Sequence, residues 1–194
     1  SHAEELVERA LLLGLSGLGL ADRNTVAGVV RLHAAAKLNG LEFRPGARLV
    51  FDDGTPELLA YPMNRRGWGN LCRMLSEGNL RSKKGICTLW KEDLLAWNRE
   101  ILFVVMPPSM PSKGDVDAFE TCLSSIRPQL GDRLYLALVP HHDGSDQKTF
   151  AELDGIARRL QIPLIATNDA LYHAPDRKPV ADVVARLRAK RAKA

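Results

Sequence analysis

The chain has 194 residues, 45% of them hydrophobic and 26% charged, which suits one globular domain with a real core and excludes a disordered segment. Its cysteines, Cys72, Cys87 and Cys122, are odd in number and far apart, which excludes a disulfide framework or a paired-cysteine metal knuckle and suits reduced thiols in a cytoplasmic protein. No run approaches the roughly 18 apolar residues of a membrane span, and the net charge of +4 is carried by Arg186, Arg188, Lys190, Arg191 and Lys193 in the last ten residues, so the body is not basic and no membrane partner is expected.

Ser1 and Glu4 form a capping-box pattern, and Leu6, Val7, Ala10, Leu11 and Leu13 recur at helical spacing, which predicts an opening amphipathic helix. A short apolar strand, Leu18 to Ala21, meets the polar turn Asp22-Arg23-Asn24, and a helix over Val26 to Lys37 closes at Gly40. An extended stretch from Leu41 to Phe51, the turn Asp52-Asp53-Gly54 and a strand at Leu58 to Tyr61 follow, then a helix through Trp68, Leu71, Cys72 and Leu75. The basic loop Arg81 to Gly85 leads to a helix around Asp93 to Trp97 and an apolar strand, Ile101 to Met106. Past the proline-rich loop Pro107 to Gly114, the pattern predicts a helix over Val116 to Leu130, a strand over Leu134 to Val139 and a helix over Phe150 to Leu160. A strand over Leu164 to Ala166 and a helix over Val180 to Arg191 complete it.

Strands apolar on both faces, alternating with helices, predict an α/β fold with a mainly parallel sheet, open or rolled into a barrel. Ligands and catalytic groups of such folds collect just past the strands. The clusters Asp22-Arg23-Asn24, His141-His142-Asp143 and Thr167-Asn168-Asp169 therefore mark the candidate site. Neither a glycine-rich phosphate loop nor a GxSxG elbow occurs.

The stretch LGLSGLGLADRNTVAGVVRLHAAAKLNGL, from Leu13 to Leu41, resembles the strand-turn-helix unit after the opening strand of the PHP domain in bacterial C-family DNA polymerases. ELLAYPMNRRGWGNLCRMLSEGN (Glu57 to Asn79), KKGICTL (Lys83 to Leu89), LYLAL (Leu134 to Leu138) and PLIATNDALYHAPDRKPVADVV (Pro163 to Val184) continue the likeness in order, most closely to the error-prone branch. The resemblance implies a distorted (βα)7 PHP-type barrel, here lacking its first strand, as a single PHP-like domain over residues 1–194 of a longer polymerase chain. In active members of that family, His, Asp and Glu at the strand ends hold up to three metal ions that activate water against phosphoesters.

Compared position by position, the family's Thr-Asp-His turn is here Ala21-Asp22-Arg23, and its Gly-x-Glu is Gly46-Ala47-Arg48. Its Asp-x-His near the last strand is Asp169-Ala170-Leu171, its His-Asp is Ala181-Asp182, and the His-x-His of the family's opening strand is not among these residues. Arginine stays protonated and does not bind metal. The resemblance therefore implies a degenerate metal site at Asp22, Arg23, Arg48, Asp169, Leu171, Ala181 and Asp182, with no catalytic residue assigned and no cofactor in this domain. The Mg2+ of nucleotidyl transfer is expected in a polymerase core elsewhere in the full chain. Arg23 and Arg48 are expected to replace the metals by pairing with Asp22, Asp169 or Asp182, the alternative being that both face solvent.

His141, His142 and His173 are weak metal candidates, since adjacent histidines seldom aim at one ion. His33 suits a structural or solvated role, and Trp68, Trp90 and Trp97 suit packing. Arg65-Arg66 and Arg81 to Lys84 read as surface charge, with contact to DNA or another polymerase domain as the competing reading. The expected function is a non-catalytic module of an error-prone translesion polymerase in damage-induced synthesis, partnered by the remaining polymerase domains in cis and by DNA through the full-length enzyme. Activity of the domain itself stays open: the alternative is a residual metal-dependent phosphoesterase or proofreading exonuclease on Asp22, Asp169 and Asp182.

Overall fold

The structure, a computed structural model, describes residues 2–110, 112–142, 144–170, 172–180 and 182–184. Among these the strands form one six-stranded sheet, ordered β1 (Gly17–Arg23), β2 (Glu42–Leu49), β3 (Leu58–Pro62), β4 (Ile101–Val105), β5 (Leu134–Leu138) and β6 (Leu164–Ala166). The helices are α1 (Ala3–Leu12), α2 (Val29–Leu38), α3 (Arg65–Leu80), α4 (Lys91–Trp97), α5 (Lys113–Leu130) and α6 (Asp146–Leu160), with single 3-10 turns at Gly131–Arg133 and Pro175–Arg177. Every element expected between Leu6 and Ala166 is present. The final expected helix is seen only at residues 178–180 and 182–184, and the basic end from Arg186 onward lies outside the described residues.

The chain divides into two compact units. One comprises Ser1–Leu20, Gly28–Arg44 and Asp169–Ala194, the other Ala21–Ala27 and Pro45–Asn168.

In the first unit Val7 and Ala10 of α1 meet Leu32 and Ala36 of α2 around Leu41, as the three-and-four spacing of those residues requires. His2 is the N-cap residue of α1, and the Glu5 carboxylate accepts its N–H at 2.8 Å; Ser1, expected to cap, lies outside the described residues. His33 tilts against Phe43 with ring centroids 6.0 Å apart.

In the second unit the period-2 alternation of strands sorts side chains onto two faces. Leu58 and Ala60 of β3, Ile101, Phe103 and Val105 of β4, and Leu134 and Leu136 of β5 pack with α3, α5 and α6 in the main core. Leu59, Val104 and Ala137, with Met106 and Val139, form a smaller cluster on the opposite face. Both faces are buried, which is why these strands read as continuous apolar runs.

The sheet is mixed, not mainly parallel: β3 is antiparallel to β2 and to β4, whereas β4, β5 and β6 are parallel. One helix carries the chain back along the sheet between β4 and β5 and between β5 and β6, which makes those neighbours parallel. Two helices, α3 and α4, separate β3 from β4, and the chain returns over them to the end of the sheet it left. β4 therefore starts at the edge where β3 ends, and the Met63 N–H donates to the Glu100 carbonyl at 3.0 Å there.

Three carboxylates sit below their ordinary range. Arg159 holds Glu120 down through two bonds of 2.7 Å. Burial raises Asp53, but N–H groups of Lys91 at 2.6 Å and Thr55 at 3.0 Å outweigh it. Glu5 is lowered by the His2 N–H first, then by His173 and Arg177. A carboxyl whose folded pKa lies below its unfolded value stabilises fully above the unfolded value, about 4, and loses that stabilisation as pH falls through the folded one. Urea midpoints are expected to stay level from about pH 7 to about pH 5 and to fall below about pH 4. A midpoint that rises on acidification contradicts this.

Candidate functional site

β1 ends in the turn that was expected to carry the site, and the second unit shows what holds it. Asn24 adopts a left-handed conformation with φ 49°, which asparagine tolerates better than most residues. Its N–H donates to the Arg48 carbonyl at 2.8 Å, its Nδ2 to the carbonyls of Val50 at 2.9 Å and Cys87 at 3.1 Å, and its Oδ1 accepts the Val50 N–H at 2.7 Å. One side chain thus ties the ends of β1 and β2 to the loop before α4.

This clamp puts Arg23 and Arg48 side by side, and between them lies an acid that the sequence reading passed over, Glu57. Arg23 Nη1 is 3.0 Å from Glu57 Oε1, and Arg48 Nε is 2.5 Å from Oε2. Arg48 is directly opposite Leu59 in the β2–β3 register, so Glu57, two residues before Leu59, is its diagonal neighbour on the same face. That relation was readable only once β2 and β3 were known to be antiparallel. The Arg23 side chain is 61% exposed and those of Arg48 and Glu57 are 21% and 31% exposed, so the cluster sits at the surface end of the sheet.

Both arginines thus pair with Glu57, an acid outside the expected set of Asp22, Asp169 and Asp182. Asp22, half-buried beside Arg23, is engaged in interactions of its own, and Arg48 makes others besides that with Glu57.

Arg23 and Asn24 also border a cavity of about 640 Å³, whose far wall is α3 with Cys72, Ser76 and Asn79, and whose rim is Ile86 and Cys87. Burial pushes both the Cys72 and the Cys87 thiols up, which keeps them neutral and unreactive near pH 7. The cavity presents the Arg23 guanidinium, the Asn24 and Asn79 amides, whose Nδ2 groups bond backbone carbonyls, the Thr25 and Ser76 hydroxyls and protonated thiols.

The remaining predicted residues fall elsewhere. His141 and His142 are exposed, and their backbone N–H groups donate to the two oxygens of Asp146, both at 2.9 Å, which fixes the entry into α6. In the first unit, His173 Nδ1 lies 3.4 Å from Glu5 Oε2 and Arg177 Nη2 lies 3.2 Å from Glu5 Oε1. His173 thus faces a carboxylate on α1. Asp169 is half-buried with φ 44° and is engaged, while Asp182 is exposed. Leu171 and Ala181 lie outside the described residues. Among the described residues no three His, Cys, Asp or Glu side chains converge where a metal ion could be held, and no helix is long and apolar enough to cross a membrane.

The model of the PHP domain family matches residues 1–129. Error-prone DNA polymerase 1 of Rhizobium meliloti (strain 1021) is 58% identical over 186 residues, 96% of this chain and 16% of that protein. The error-prone DNA polymerase of Mesorhizobium japonicum is 46% identical over 190 residues, 97% of this chain and 17% of that protein. The chain thus spans about a sixth of the length of the curated relatives it matches.

Two solved structures are similar in fold. One is a candidate metal-dependent phosphoesterase from Bifidobacterium adolescentis, with a TM-score of 0.57 at 16% identity over 90% of this chain and 83% of that one. The other is an amidohydrolase from Chromobacterium violaceum with bound sulfate and no metal, with a TM-score of 0.59 at 15% identity over the same shares. The alternation of buried strands and covering helices, the Asn24-clamped turn after β1 and a family match over residues 1–129 lead to one assignment: this chain belongs to the PHP domain family.

Proposed function

We propose that this chain is the PHP module of an error-prone DNA polymerase of damage-induced, translesion synthesis, and that it is a non-catalytic support for the polymerase core. The shared sequence with error-prone polymerases supports the first half. The paired arginines carry the second: where the family places a histidine and a glutamate, Arg23 and Arg48 converge on Glu57. A divalent ion about 5 Å from a guanidinium meets roughly 7 kcal/mol of repulsion at an effective dielectric of about 20. Glu57, which could offset that, is already neutralised by two cations. The donor set does not fit a divalent metal, and the metal-assisted route to phosphoester cleavage has no first step here.

In this reading the Arg23–Glu57–Arg48 cluster does structurally what metals do elsewhere, joining the ends of β1 and β2 to the start of β3. The Mg2+ needed for nucleotidyl transfer belongs to the polymerase core in the rest of the chain, and DNA and the other polymerase domains are the partners of the full-length enzyme.

The test is hydrolysis of bis(p-nitrophenyl) phosphate and excision of a mismatched 3′ nucleotide by the full-length polymerase, with Mn2+ or Zn2+ supplied. The Asp169→Ala and Asp22→Ala enzymes are expected to match the parent rate in both assays. Hydrolysis by the parent that disappears in Asp169→Ala would overturn the non-catalytic reading and establish a residual phosphoesterase on the surviving aspartates.

A further inference from the structure

The second unit holds a concentration of positive charge at the other edge of its sheet. Glu57 precedes the β3 end paired with Val105, whereas Met63, Glu100 and Arg133 gather where Pro62 pairs with Ile101, four residue steps or about 13 Å along β3. There Met63, Arg66, Arg99, Glu100 and Arg133 line an open cavity of about 410 Å³. Three of the five are arginines, from the first turn of α3, the turn before β4 and the turn before β5.

Their charge is poorly compensated. Arg99 is exposed, and its guanidinium has no partner among the described residues. Arg133 gives its Nη groups to neutral oxygens only: the Asn98 carbonyl, the Ile101 carbonyl at 3.1 Å and Asn98 Oδ1 at 3.1 Å. Arg66 faces Glu100, the sole acid among the described residues that line the cavity, at a long 3.5 Å with its own side chain 71% exposed. Exposed pairs of this kind are worth less than about 1 kcal/mol and yield readily to a better anion. Arg65 adds a further exposed guanidinium next to Arg66, whereas Arg133 is half-buried.

The support beneath is rigid. Asn64 accepts the N–H groups of Arg66 and Gly67 at 2.9 and 3.0 Å, Asn70 Nδ2 donates to the Arg99 carbonyl at 2.8 Å, and Gly67 lies against the Glu100 backbone. Glu100 is held at φ 58°, a left-handed conformation that costs a non-glycine residue of order 1 kcal/mol or more and persists only where its surroundings enforce it. The α3 amides are consumed by Asn64, so the guanidinium groups form the site. Arginine forks match phosphate oxygens.

We propose that Arg66, Arg99 and Arg133 form a binding site for the phosphodiester backbone of a nucleic-acid strand, separate from the edge that carries Arg23 and Arg48. The site is sequence-independent, since only phosphate is contacted, and it stands whether or not the Arg23–Glu57–Arg48 cluster excludes metal.

The experiment measures primer-template affinity of the full-length polymerase across salt concentrations, for the parent, Arg66→Ala/Arg99→Ala and Arg66→Lys/Arg99→Lys. Arg133 is left in place because it ties Asn98 to Ile101. Loss of two phosphate contacts is expected to reduce the log-affinity against log-salt slope by about 1.8, and the lysine pair is expected to recover most of it. An unchanged slope in the alanine pair overturns the proposal and leaves the patch to an acidic segment of another protein domain. An unchanged slope together with lost binding of inorganic tripolyphosphate overturns it in favour of a free polyphosphate ligand.

Discussion

Gly67→Ala is expected to destabilise the second unit by about 3 kcal/mol, although the same exchange in an open helix position stabilises by up to about 1 kcal/mol. Gly67 lies in the first turn of α3 and is buried. A Cβ built there runs into the Glu100 carbonyl oxygen and sits 2.9 Å from its carbon. Both atoms are backbone, in a residue already held at φ 58°, so neither can swing aside. The helix has to retreat instead, which stretches the Met63 N–H to Glu100 and Asn70 to Arg99 bonds and opens the cavity of the three arginines.

Gly69, two residues on, supplies the control, because its added Cβ meets nothing within 4 Å. Gly69→Ala is expected to be neutral or stabilising, and the opposite signs of the two variants separate packing from helix propensity. All three tryptophans, Trp68, Trp90 and Trp97, belong to this unit, so their fluorescence during urea unfolding reports on it. A Gly67→Ala urea midpoint at or above that of the parent would refute the close approach.

The same residues show where a sequence is readable and where it is not. Apolar runs marked the strands because both sheet faces are buried, and three-and-four spacing marked α3 through Leu71, Met74 and Leu75. The polar turn expected at Asp22-Arg23-Asn24 begins only at Asn24, because Asp22 and Arg23 are the last two residues of β1. Glu57, the partner of Arg23, was not found, because a charged pair between strands depends on register, and register depends on direction. The alternation of strands and helices carries no direction signal for β3. The helix-free turn from β2 and the two helices before β4 set it, and the mainly parallel expectation failed there. The arginine cavity was half visible in Arg65-Arg66. Arg99 and Arg133 join it through the turns that bring residues 63, 100 and 133 to one edge, and local spacing does not encode that meeting.

Burial decides the remaining large effect, which concerns the basic loop before α4. Asp93 accepts both Nη groups of Arg81 at 2.7 Å and the Trp90 N–H at 2.9 Å, and is 7% exposed. Arg81 in turn lies over the Trp90 ring, 4.4 Å from its centroid. Asp93→Ala removes the cap of α4 and leaves a guanidinium, 26% exposed, without its carboxylate. Breaking a buried pair costs about 3–5 kcal/mol, and the partial exposure of Arg81 places the expected loss near the lower end, about 3 kcal/mol. Glu120 and Arg159 share the same two-bond geometry at 2.7 Å, but the Arg159 side chain is 58% exposed, so Glu120→Ala is expected to cost under about 1 kcal/mol. Asp93→Asn keeps an acceptor for the Trp90 N–H and falls between the two. The Arg81→Ala/Asp93→Ala double variant is expected to be less destabilised than the sum of its singles, because the stranded guanidinium is gone. Urea midpoints rank these variants together with Arg81→Ala, and Trp90 emission shifts to the red wherever Arg81 leaves the ring. If Asp93→Ala proves no more costly than Glu120→Ala, burial does not set the strength of these pairs, and the loop from Arg81 to Trp90 is held by its backbone contacts instead.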